Sequence, residues 1–235
     1  ELTSILKAVI EMSDGPIDAQ SKQYVENVNF TEAHQIIASK LIASKRAIVL
    51  LGNTATAHPQ FSSLRTLAGL IAKISNSNLG YLSEAANSSG AWLAGAVPHR
   101  HAGGKQCANI GMNSNEMLHA KLKAYVLLGT EPELDCWDSR AARIAMNDAE
   151  LVISLTAYRS GEIENYADVM LPISAFVETS GTYINNEGIS QSFTGAVPPL
   201  GEARPAWKLL RVLGNIFNLD GFEYQSSSDV NTEVM

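Results

Sequence analysis

The residue types best able to do chemistry in these 235 residues are few and scattered. Cys107 and Cys136 are too few for a disulfide framework, and their spacing matches no zinc or iron–sulfur motif. A cluster usually takes four thiolates, so this stretch cannot hold one alone. Both cysteines read as small core residues, in a chain suited to a reducing compartment. His99 and His101 flank Arg100, and that spacing supplies two metal ligands. No acid or thiol lies close in sequence, so a solvated loop is the preferred reading. Gly52 and Gly129 each close an apolar run, where a backbone can approach a phosphate at a helix N-terminus. Neither belongs to a G-x-G-x-x-G or Walker pattern, so a tight turn is favoured over a nucleotide site. The polar strip Thr179 to Gly188 is the last candidate. A catalytic reading would make Glu187 an acid or base. A structural turn is preferred, with backbone freedom from Gly181 and Gly188 and backbone hydrogen bonds to Asn185 and Glu187.

Elements that would position these residues follow from the hydrophobic pattern. Leu2, Ile5, Leu6, Val9 and Ile10 fall at helical spacing, and Asp14-Gly15-Pro16 is expected to stop that helix. Thr31 is a plausible N-cap for a second helix burying Ile36, Ile37, Leu41 and Ile42. Arg46 to Gly52 and Lys123 to Gly129 read as strands, the first of them as one buried on both faces. Glu150 to Leu155 and Ala167 to Pro172 read as two more strands. A short strand is possible near Asn78, and a helix runs from about Pro59 to Ile74. Asp138 can cap a helix reaching Asn147. His99 to Met112 reads as a long loop of the kind that often faces a partner. Pro205 fits the first turn of a closing helix with Trp207, Leu210, Leu213, Ile216 and Phe217 on one broad apolar face. Ser226-Ser227-Ser228 reads as a fraying end.

Alternating strands and helices predict an α/β fold, a doubly wound and mostly parallel sheet with helices on both faces. The expected organisation is a helical lead-in over 1–45, a parallel α/β domain over 46–176, a polar turn strip and closing helix over 177–219, and a polar tail over 220–235. Hydrophobic residues at 46% and charged residues at 17% allow a buried core. A net charge of -7 without Lys/Arg clusters argues against nucleic acid. The apolar runs are far shorter than the roughly 20 residues that span a bilayer. The chain opens with Glu1 inside an apparent helix and reads as an excised or processed fragment.

Three segments in order carry a family resemblance: ADVMLP (Ala167 to Pro172), FVETSGTYINNEG (Phe176 to Gly188) and GEARPAWKLLRVLGN (Gly201 to Asn215). They resemble the molybdopterin oxidoreductase superfamily. The last string, with GAVPHR (Gly95 to Arg100) and LLGTEPELD (Leu127 to Asp135), is closer to one branch, the large iron–sulfur subunit of bacterial NADH–quinone oxidoreductase, complex I.

In true molybdenum enzymes the resemblance implies a bis-pterin cofactor held by loops at strand ends. In the complex I branch it implies the same fold without that cofactor. Iron–sulfur clusters would then lie in an N-terminal part absent here, and this stretch alone would be inactive. The partners implied are the rest of the subunit and other peripheral-arm subunits, on the cytoplasmic face of a bacterial inner membrane. The positions matching pterin-type contacts are Gly129, Glu131, Pro132, Thr179, Gly181, Asn185 and Glu187, expected here as vestiges.

Two departures support that expectation. Ile189 stands where the superfamily has arginine, and Glu131 where molybdenum enzymes often have asparagine. A carboxylate repels phosphate, whereas an amide can donate to it. The alternatives are a fragment of an active molybdopterin enzyme, such as a formate dehydrogenase, and a stand-alone nucleotide-binding domain.

Overall fold

The computed structural model describes residues 1–13 and 19–234, so the expected helix stop at Asp14-Gly15-Pro16 lies outside the described residues. The chain divides into two compact units, Glu1–Ala86 and Asn87–Met235. The first unit contains α1 (Leu2–Met12), α2 (Ala19–Gln23), α3 (Glu32–Ala43), β1 (Ile48–Leu51), α4 (Asn53–Thr56), α5 (Phe61–Ile74) and β2 (Asn78–Tyr81). β1 and β2 run parallel and are joined through α5, a single βαβ unit. Leu6 and Val9 of α1, Ala38 of α3 and Leu67 and Ile71 of α5 form its core.

α3 departs from its expected burial. Thr31 does stand at its N-cap, with its N–H donating to His34 Nδ1 at 3.0 Å. However, Ile36, Ile37 and Ile42 are exposed, and the only fully buried position is Ala38. The small side chain faces the core cluster that α1 supplies, and the bulky isoleucines fall on the open side. β1 departs in the same way. Val49 joins the core beside α5, whereas Ile48 and Leu50 on the opposite face are exposed. A helix covers one face of this pair only, which is why the run is not buried on both.

The second unit opens with α6 (Ser88–Leu93) and α7 (Ser114–His119). It continues through β3 (Ala124–Leu128), α8 (Pro132–Asp135), α9 (Ser139–Asp148), β4 (Leu151–Thr156), α10 (Gly161–Tyr166) and β5 (Val169–Pro172). It closes with β6 (Gly181–Ile184), β7 (Ser190–Phe193), α11 (Ala206–Ile216) and α12 (Ser227–Val234). β3, β4 and β5 form a parallel sheet in that order, with Leu127 opposite Ser154 and Leu155 opposite Leu171. Asp138 caps α9 as expected, its carboxylate accepting the Ala141 N–H at 2.9 Å. Tyr125, Leu127 and Val152 on one sheet face pack against Ala145 and Met146 of α9. The α/β class and the parallel pairing therefore hold. The sheet content differs in two respects: β1 pairs with β2 in a sheet of its own, and β6 and β7 add an antiparallel hairpin.

The segment His99 to Met112 carries one 3₁₀ turn, Ala102–Gly104, and is otherwise irregular, as expected of a long loop. The turn lies against α12, so the expected fraying end is instead an ordered helix. Asp229 builds its start by accepting the Gln225 and Ser226 N–H groups at 2.8 and 2.9 Å. At its far end Tyr224 donates to the Glu233 carboxylate, and that hydrogen bond, helped by slight burial, pushes the phenol up to about 12. An unfolded tyrosine ionises near 10. The raised value means that this tie is intact below pH ~10 and is lost as pH rises through about 12. Ultraviolet titration of the seven tyrosines should show a late-ionising class that includes Tyr224. Substituting Tyr224→Phe should shrink that class, and an unchanged titration would contradict the assignment.

Candidate functional site

In parallel α/β sheets a ligand is expected at the carboxyl ends of the strands. Gly129, Glu131 and Pro132 lie there, directly after β3. Gly129 has φ +59°, which an L side chain adopts only with strain, so glycine is required to turn the chain out of the strand. Pro132 is buried at the first position of α8. Glu131 reaches no anion-binding geometry. Its own N–H and the Thr130 hydroxyl both donate to Asp135 Oδ2 at 2.8 Å. Two donors that could meet a phosphate at this strand end are thus satisfied internally by a carboxylate. Glu131, Glu133 and Asp135 crowd the same short segment, with no Lys or Arg between Gly129 and Ser139. A phosphate-bearing pterin cofactor does not fit these residues, since they offer it acceptors and negative charge.

Thr179, Gly181, Asn185 and Glu187 lie on the β6–β7 hairpin and its approach. Asn185 forms the tip: its Oδ1 accepts the N–H groups of Glu187 and Ile189, each at 2.9 Å, and its own N–H donates to Ile189 O. This is an Asx-type turn. Thr179 donates to Ser180 O, and Gly181 sits in β6 under the Phe193 ring, where a Cβ would come within 2.9 Å of the ring. Glu187 is exposed at the tip. None of the described clefts is lined by residues from both this hairpin and the Gly129–Pro132 loop.

The largest of the described clefts, about 760 Å³, was not anticipated. It opens between Glu178, Val197–Pro199, Arg204, Trp207, Lys208 and the start of α12. Its cations are engaged locally: Arg204 donates to Ala203 O at 2.8 Å, and Lys208 Nζ stands 5.5 Å from the Trp207 ring centre. Trp207 is half-buried, whereas Ile216 and Phe217 farther along α11 are exposed.

The remaining candidates separate. Cys107 and Cys136 are each half-buried, so neither is the core residue expected. Cys107 donates to Asn109 O. Partial burial, and then the Asp135 and Glu133 carboxylates, push the Cys136 thiol up, which keeps it protonated and a poor ligand or nucleophile. His99 packs edge-on against Trp92, ring centres 5.0 Å apart. Among the described residues no group of three or more His, Cys, Asp or Glu is placed to hold a metal ion, and no helix is long and apolar enough to cross a membrane.

Two carboxyl groups that sequence reasoning passed over turn out to be structural. Asp168, second residue of ADVMLP, accepts the Val152 N–H at 2.7 Å and so ties the start of β5 to β4 at fully buried Val152. Its place just ahead of an apolar strand was the available signal. Replacing Asp168 with alanine leaves that N–H without its acceptor and should cost about 1–3 kcal/mol in urea unfolding. A loss within error would show that the bond carries no net stability. Glu133 is the second, a buried residue of α8 with one oxygen accepting from Tyr166 OH at 3.0 Å.

A three-stranded parallel sheet with flanking helices, an ADVMLP edge strand and a following polar hairpin define an α/β domain of redox-enzyme type. The family model for molybdopterin oxidoreductases matches residues 20–216, and the chain belongs to that family. Within it, the chain is 29% identical over 183 residues to the mitochondrial NADH-ubiquinone oxidoreductase 78 kDa subunit of Candida albicans, covering 77% of this chain and 23% of that protein. It is 25% identical over 217 residues to the NADH-ubiquinone oxidoreductase 75 kDa subunit of Reclinomonas americana, covering 88% and 28%. A putative formate dehydrogenase of Bacillus subtilis is 28% identical over 128 residues, covering 53% and 13%. The chain thus spans about a quarter of the length of the two NADH-ubiquinone oxidoreductase relatives.

Proposed function

We propose that this chain is a non-catalytic scaffold and assembly domain of the large iron–sulfur subunit of a respiratory NADH–quinone oxidoreductase. Its partners would be the rest of that subunit and neighbouring peripheral-arm subunits, on the cytoplasmic side of a bacterial inner membrane. The observation that carries this reading is the strand-end loop after β3, where Asp135 takes the Glu131 N–H and the Thr130 hydroxyl that an anionic cofactor would need. Asn185 likewise spends its side-chain oxygen on its own turn. Likeness to the 75 and 78 kDa subunits over most of the chain supports the assignment.

A second reading is a fragment of an active molybdopterin-dependent oxidoreductase. It is favoured by the family membership and by the likeness to putative formate dehydrogenases. Elemental analysis of the full-length protein, purified without chelators, separates the two. The scaffold reading expects iron without molybdenum or tungsten. Stoichiometric molybdenum or tungsten would replace it with the second reading. Within the scaffold reading, Glu187→Gln should leave electron transfer through an assembled complex unchanged, and its abolition would make the hairpin a catalytic element.

A further inference from the structure

The cleft beside Trp207 has stiff walls and an unbalanced charge. Gly195 passes so near Glu178 that a Cβ there would lie 3.1 Å from the Glu178 carbonyl carbon, and a larger residue would push the two segments apart. Ala196 and Val197 then both donate their N–H groups to Val177 O, at 2.8 and 3.3 Å. Three of the chain's eight prolines, Pro198, Pro199 and Pro205, line this one cleft, and each holds its own φ fixed. On the far side Asp229 fixes the turn that presents Gln225 and Ser226. Walls already ordered in this way lose little freedom when a ligand arrives.

Arg204 and Lys208 bring two positive charges to the lining, and Glu178 brings one negative charge. Arg204 donates only to carbonyls, Ala203 O at 2.8 Å and Gly201 O at 3.4 Å. Neither cation forms an ion pair among the described residues. Glu178 spends one oxygen on the Ala175 N–H, at 3.1 Å. The lining is left with one positive charge in excess, on a chain whose net charge is -7. The cleft between α7 and α9 lacks that excess, because Asp138 and Asp148 there offset Lys121 and Arg140.

That excess selects the ligand. A monoanion neutralises it, whereas a dianion brings surplus negative charge against Glu178. Both Arg204 bonds use Nη1, which leaves the Nε–Nη2 edge for the two oxygens of a carboxylate. Trp207, Val197 and the paired prolines offer flat apolar surface to the rest of the molecule. A volume of about 760 Å³ falls within the roughly 300–1,000 Å³ of small-molecule sites.

We propose that this cleft binds a small organic carboxylate with an apolar body. The carboxylate is held by Arg204 and Lys208, and the body lies on Trp207 and the Pro198–Pro199 wall. The cleft shares no lining residue with the Gly129–Pro132 loop. The proposal therefore does not depend on whether the protein is a scaffold or a molybdenum enzyme, and its test does not use cofactor content.

The test is isothermal titration calorimetry of the full-length protein with 3-phenylpropionate. Three probes dissect it: acetate has the charge without the body, 3-phenylpropanol the body without the charge, and phenyl phosphate a second negative charge. The Kd of 3-phenylpropionate should be lower than that of each of them by about tenfold or more. Arg204→Gln and Lys208→Gln should each weaken its binding about tenfold, the usual effect of losing a charged hydrogen-bond partner. Both side chains are exposed, so neither substitution removes packing, and thermal unfolding of each variant checks this. Lys123→Gln, which removes a cation outside the cleft, should leave the affinity unchanged. Absence of saturable binding would overturn the proposal. So would equal or tighter binding of any of the three probes, or an affinity that neither cleft substitution alters.

Discussion

Replacing Tyr166 with phenylalanine should lower the stability of the second unit by about 2–3 kcal/mol. Glu133 is only 4% exposed. One of its oxygens accepts from Tyr166 OH, and the other is buried without a protein hydrogen-bond partner among the described residues. Burial first, and then the hydrogen bond to Glu133, push the Tyr166 phenol up, so it stays a donor throughout the neutral and mildly alkaline range. Removing the hydroxyl leaves a buried carboxyl group with no partner, and that desolvation is the source of the cost. Tyr166→Phe combined with Glu133→Leu removes both polar groups and should recover much of the loss, because an apolar replacement of a buried polar pair is often close to neutral. Urea unfolding of the two single variants and the double variant forms the cycle. Additive losses would show that the two side chains do not act as a pair.

Leu155→Ala should have an effect of similar or greater size. Leu155 is fully buried in the central strand, and truncating such a leucine costs about 2–5 kcal/mol through lost transfer energy and the cavity left behind. Val126→Ala, one strand away and 56% exposed, should cost less than about 1 kcal/mol in the 235-residue chain. The contrast is informative because both residues sit in apolar runs of the same parallel sheet. Thermal or urea unfolding that ranked Val126 equal to Leu155 would contradict the difference in burial between the two residues.

Those two residues also illustrate what the sequence makes legible. The runs AYVLL and LVISLT announce strands, and their alternation with helices announces parallel pairing, because a short apolar run bounded by turns has few other uses. By register Leu155 and Val126 share a sheet face, yet only Leu155 is buried, and which residues of such a run are covered is set by tertiary packing that a continuous run of aliphatics does not encode. The same limit explains α3, where Ile36 and Ile37 look like core residues and Ala38 is the one that is buried. β7 is not legible in the sequence, because SQSF pairs only with β6 and carries no apolar alternation. At the candidate site, Glu131 and Ile189 were legible as departures from the family pattern. Asp135 and Glu133 were not, since a carboxylate that closes its own loop and one on the buried side of a short helix look alike in a row of acids.

The scaffold account turns on whether this domain contributes to assembly or to electron flow, and one measurement separates these directly. Residues 87–235, the second compact unit, are deleted from the full-length subunit. The amount of assembled complex is then measured together with the electron paramagnetic resonance of its reduced iron–sulfur clusters. The account predicts less assembled complex, with the clusters of the remaining N-terminal part still reducible at normal intensity per subunit. A complex that assembled at the normal level but lost a cluster signal would contradict it and return an electron-carrying role to this domain.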